Sequence, residues 1–88
     1  MSQPARVDNN AQTVVMDASD FEFETIEHRN GNAVVIRFPL QNPSVVAGDV
    51  VVVLSGTEIH FHGMIFGVEN GYATASDPRG SLLPATVQ

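Results

Sequence analysis

The chain of 88 residues contains no cysteine and no lysine, and each absence removes a class of explanation. Without cysteine there is neither a disulfide framework nor a thiolate metal site. Without lysine, positive charge comes only from Arg6, Arg29, Arg37 and Arg79, set against ten acids for a net charge of −6. Such a surface repels phosphate backbones, so direct nucleic-acid binding is not expected. Charged residues make up 16% of the chain, against roughly 25% in ordinary soluble domains. A weakly charged β protein without lysine also lacks a usual guard for exposed strand edges. No apolar run approaches the ~20 residues of a membrane helix, and the opening "MSQPARVDNNAQ" has no apolar signal core. The expectation is a soluble protein without a signal peptide, intracellular or virion-associated.

What is present is β-branched and punctuated by turns. Residues 1–11 are polar and aperiodic, and are expected to form a flexible arm. From Thr13 onward, short apolar runs alternate with turn signals, and no stretch offers the i, i+3, i+4, i+7 stripe of a helix. Strands are predicted at 13–17, 21–28, 33–38, 45–54, 57–68 and 72–76. Asn30-Gly31, Ser55-Gly56 and Asn70-Gly71 are predicted two-residue hairpin turns. Each turn implies a register. The first sets Glu24 opposite Arg37 and Phe23 opposite Phe38. The second sets Val50 opposite Phe61, Val52 opposite Ile59 and Asp49 opposite His62. The third sets Val68 opposite Ala73 and Phe66 opposite Ala75. Because the inward parity changes between Phe61 and Phe66, a slip is expected near Gly63 or Gly67.

The fold class is therefore all-β: a small single-domain antiparallel barrel or rolled sheet of about six strands over residues 12–78, with flexible arms at 1–11 and 79–88. Its expected interior holds Phe23, Val34, Ile36, Phe38, Val50, Val52, Ile59, Phe61, Phe66 and Val68. The pattern "VVAGDVVVVLSGTEIHFHGMIFGVENGYATA" resembles the middle of an SH3-like or related small barrel over about a third of the chain. That resemblance implies a fold class and no function.

The stretch "GTEIHFHGM" carries the most suggestive chemistry. His60 and His62 lie two residues apart on a strand, and Glu58 shares their parity, with Asp49 expected opposite. Glu58, His60, His62 and Asp49 are thus the candidate metal or ligand set. The H-x-H spacing is similar to the first motif of cupins, whose glutamate follows the second histidine by three or four residues; here the next glutamate is Glu69. The competing reading is a solvated polar strand face holding no metal, and no cofactor is expected. His28 is read as a hairpin surface residue.

No nucleophile elbow, phosphate-binding loop or H-E-x-x-H motif is present, so no catalytic residue is nominated. The acids Asp17, Asp20, Glu22, Glu24 and Glu27 crowd the early strands and, with Leu82 and Leu83 of the apolar C-terminal arm, are the expected partner-binding residues. The functional expectation is a non-enzymatic structural or protein-interaction module, homo-oligomeric or docked to another protein, of the kind used in virion or phage assembly. A small metal- or ligand-binding protein and an acidic inhibitor of a nucleic-acid enzyme are the alternatives.

Overall fold

The computed structural model describes residues 11–79 and 81–85; residues 1–10, most of the expected N-terminal arm, lie outside the described residues, as do 80 and 86–88. The described chain is all-β. Its strands are β1 (Thr13–Asp17), β2 (Glu24–Arg29), β3 (Asn32–Pro39), β4 (Val50–Ser55), β5 (Glu58–Glu69) and β6 (Tyr72–Ser76), with a 3-10 turn at Ala18–Asp20. All six form one sheet in the order β1-β4-β5-β6-β3-β2. Every pairing is antiparallel except β1 with β4, which run parallel. No described helix is long and apolar enough to cross a membrane.

Both Asn-Gly turns form as expected, with positive φ at Asn30, Gly31, Asn70 and Gly71, the requirement of a type I′ hairpin. They set Glu24 opposite Arg37 and Val68 opposite Ala73. The central hairpin differs from its predicted register. Its turn residues are Gly56 and Thr57, so Ser55 pairs Glu58, and an irregularity follows between Val53 and Leu54. Val53 then faces Phe61, Val52 faces His62 and Val50 faces Met64. The net displacement is an odd number of residues, which exchanges the two faces of β4 while Phe61 keeps its expected inward face. The buried set is accordingly Val51, Val53, Phe61 and Ile65, joined by Ile36, Phe38, Val45, Ala73 and Ala75. Val50 and Val52 are only half-buried, and Ile59, Phe66 and Val68, expected inside, are exposed.

Phe61, Gly63 and Ile65 keep one inward phase, so Gly63 is not a bulge. It is a point of close approach, where an added Cβ would strike the Ser76 carbonyl oxygen and come within 2.7 Å of the Phe61 ring. The slip lies instead between Ile65 and Gly67, which puts Ile65, rather than Phe66, opposite Ala75. Residues 45–49 are also not strand: Gly48 takes φ +101°, Val45 is buried, and the Asp49 carboxylate accepts the Val46 N–H at 3.0 Å. β2 begins later than expected because Phe21 and Phe23 turn inward; they stack on each other, and Phe21 meets Phe38, at centroid distances of 5.3 Å.

The sheet is open, since no ladder joins β1 to β2 among the described residues, yet it is rolled. Residues 18–23 alone connect these edge strands, and through the ladders Asp17 stands level with Ile59 while Glu24 stands level with Gly67. In a flat sheet that link would span ~24 Å across five strand spacings and ~26 Å along β5. With a 3-10 turn in it, the link reaches only ~20 Å. Rolling brings the end of β1 to the end of β3, and Met16 and Pro39 line one shallow cleft.

Beyond Ser76 the last strand stops while its neighbours β3 and β5 continue, and residues 77–79 and 81–85 fill the gap. Asp77 donates its N–H to the Val34 carbonyl and Ala33 donates to Leu83. Leu82 donates to the His60 carbonyl, Ala85 donates to Gly31, and Asn32 bridges Pro84. Leu83 is 3% exposed. Residues 81–85 of the expected arm are therefore part of the packed body.

Candidate interaction surface

The run Val50–Leu54 is apolar at every position, so β4 presents hydrophobic side chains to both faces of the sheet. Val51 and Val53 face the core. Val50, Val52 and Leu54 face outward, and directly opposed residues share a face. The ladders set Thr13, Val50 and Met64 in one row, Val15, Val52 and His62 in the next, and Asp17, Leu54 and Ile59 in the third. Phe66 continues the line of Met64. Val15 is 61% exposed, Ile59 53%, Met64 56% and Phe66 58%. Single exposed apolar residues are ordinary, whereas an apolar group spanning three strands is a departure from ordinary surface composition.

The outer face of the other three strands is mostly polar, Val35 being its buried apolar member. Thr74 and Tyr72 of β6 lie beside Arg37 of β3, which lies beside Glu24 of β2. Arg37 Nη1 meets Glu24 Oε1 at 3.0 Å, and its guanidinium carbon stands 4.0 Å from the Tyr72 ring centroid.

The histidines border the apolar face and share a cleft of about 250 Å³ with Ile59, Asp77, Arg79 and Leu82. Their predicted four-member set does not assemble. Asp49 faces away from them: it is fully buried, and Oδ1 accepts the Gln12 N–H at 3.0 Å while Oδ2 accepts Val46. The residue opposite His62 is Val52. His60 Nε2 lies 3.1 Å from Glu58 Oε1. His62 Nδ1 lies 3.2 Å from Arg79 Nη2; because guanidinium only donates, that nitrogen of His62 carries its lone pair in the contact. Asp77, the buried acid of the cleft, accepts the backbone N–H of His62 at 3.1 Å and of Arg79 at 3.3 Å. Among the described residues no three His, Asp or Glu side chains converge as metal ligands.

Of the expected partner-binding acids, Asp20, Glu22 and Glu24 line two neighbouring clefts that share Glu22 and Pro39. Asp17 ends β1 and caps the 3-10 turn, accepting from Ser19 N–H at 2.9 Å and Ser19 hydroxyl at 2.8 Å. The backbone bond, then the hydroxyl, holds its carboxyl below the usual 3.8. Asp20 and Glu22 are exposed on the link, Glu24 is paired with Arg37, and Glu27 is exposed on β2. Leu82 is exposed, whereas Leu83 is a core residue and presents nothing to a partner. Val15, Met64 and Phe66 were the residues sequence reasoning missed, Phe66 having been assigned to the core. The available signal was that "HFHGMIFG" is apolar or aromatic in both parities, which leaves one surplus face whichever parity points inward. No family model, curated protein or solved structure matches this chain.

Proposed function

We propose that this domain is a non-enzymatic structural module that docks protein through the outer face of β1, β4 and β5. The observation that carries the reading is the contiguous exposure of Val15, Ile59, Met64 and Phe66 over the half-buried Val50, Val52 and Leu54. Interface centres combine depleted charge with enriched aromatic residues and methionine, and this face has that composition. Further support comes from the two buried acids. Asp49 and Asp77 are occupied with backbone N–H groups, the use of a carboxylate that fixes loops. A component of a larger assembly, including one of the virion type, falls within this reading. An acidic inhibitor falls outside it, because the docking residues are apolar.

Methionine oxidation tests the proposal with an internal reference. Met64 lies on the outer face and Met16 packs against the core. In the isolated chain Met64 should oxidise quickly and Met16 slowly. In the native assembly recovered from its source, Met64 should become protected, and Phe66→Ser should abolish that protection while leaving far-UV circular dichroism unchanged. Equal reactivity of Met64 in the isolated chain and the assembly would remove the proposal.

A further inference from the structure

We infer that the open edge of β1 pairs with β1 of a second copy, antiparallel, across a two-fold axis at Val15. This goes beyond the docking face and uses different atoms. The Gln12 carbonyl accepts from Val50 N–H at 2.9 Å and the Gln12 N–H points to Asp49, so at Gln12 both backbone groups face β4. Alternation along the strand directs those of Val14 and Met16 the same way, and those of Thr13, Val15 and Asp17 outward. Among the described residues β1 is the terminal strand of the sheet on that side, and its register with β4 is unbroken over all five residues.

Charge makes the strand compatible with a second copy of itself in one direction. Asp17 is the only charged residue of the strand. Antiparallel pairing about Val15 sets Val15 against Val15 of the second copy and each Asp17 against the neutral Thr13 across the axis. A direct parallel alignment would oppose the two carboxylates, which is unfavourable. All three opposed pairs have outward backbone groups and so match the hydrogen-bonded pairs of an antiparallel ladder, about six bonds in total. A self-complementary patch of this kind makes a closed two-fold dimer. The axis is normal to the sheet, so the apolar outer faces of both copies lie on one side, doubling the docking surface.

Three variants of the full chain test the pairing in sedimentation equilibrium and oxidative crosslinking. Val15→Pro removes an outward N–H and no β1–β4 bond, and should weaken the dimer about tenfold or more. Thr13→Arg, which meets Asp17 twice across the axis, should tighten it by up to about tenfold in a salt-sensitive way. Val15→Cys should crosslink two chains readily, since hydrogen-bonded positions lie ~5.5 Å apart at Cα; the chain has no other cysteine, and Ile26→Cys on the opposite edge should not. A parent chain that stays monomeric, a dimer indifferent to all three changes, or one that forms only after residues 1–10 are removed would each overturn the inference. The docking-face proposal fails separately, through Met64 protection, and Phe66→Ser should leave this dimer intact.

Discussion

β1 and β2 end the same sheet, yet they are finished in opposite ways. β2 carries two register irregularities between Thr25 and His28 and presents Glu24, Glu27, His28 and Arg29 beside one exposed apolar residue, Ile26. β1 pairs without interruption and carries one charge, at its last residue. The outer faces divide along the same line: mostly polar and ion-paired beside β2, apolar beside β1. Bulges and charges are standard protection for an exposed edge. A chain with no lysine has therefore guarded one edge by irregular pairing and mixed charge and left the other regular and nearly neutral, which is why the β1 side is where contacts to other molecules are expected.

The largest expected effect tests whether the β1 side is held on independently. Asp49→Ala removes the buried carboxylate that fixes Gln12 and Val46 and leaves two part-buried N–H groups without that acceptor. It should cost about 2–4 kcal/mol in urea denaturation. Amide exchange at Val14 and Met16 should accelerate, while exchange along β2 changes little. Equal loss of protection at both edges would break the distinction between them. A smaller effect is expected on the guarded side. Arg37→Ala removes a partly exposed ion pair and the guanidinium over Tyr72, together worth about 1 kcal/mol. Tyr72 is the only tyrosine and the chain has no tryptophan, so intrinsic fluorescence reads this contact alone; an unchanged signal would mean that the stack does not form in solution.

The smallest effect is at Asp17, where β1 ends. Its folded pKa lies below 3.8, so its contribution is fully present above that value and is lost as pH falls through the folded pKa. Carboxyl titration by NMR should give a midpoint below 3.8 that moves back toward it in Ser19→Ala. A parent midpoint at or above 3.8 would show that the cap closing the edge is not formed.

The hairpins at Asn30-Gly31 and Asn70-Gly71 were legible because only a few residues tolerate two successive positive φ values, and the bounds of β1 and β6 followed from their turn-flanked apolar runs. The central hairpin was not. Gly56 supplies a positive φ whether it is the first or second turn residue, and the valines that follow one another in β4 satisfy either parity, so local pattern could not choose the inward face. The parallel β1–β4 contact was illegible for a different reason: no turn joins those strands, and residues 13–17 meet residues 50–54 only across a long stretch of intervening chain that no local pattern encodes. Of the candidate site, the neighbourhood of Glu58 and His60 was readable from spacing. The removal of Asp49 from it depended on the misplaced register, and the burial of Leu83 on a gap that only the shortness of β6 creates.

That gap has a consequence for synthesis. Ala33 emerges early but receives its backbone partner from Leu83, and its carbonyl accepts the Ser81 hydroxyl across 48 residues of sequence. While the chain is being made, the first hairpin can fold locally, but the space between β3 and β5 stays unfilled until residue 85 has cleared the ribosome. Products that stop before Ser81 would retain both Asn-Gly hairpins but leave Ala33 without its partners from Ser81 and Leu83, the kind of unfinished edge on which quality-control proteases act.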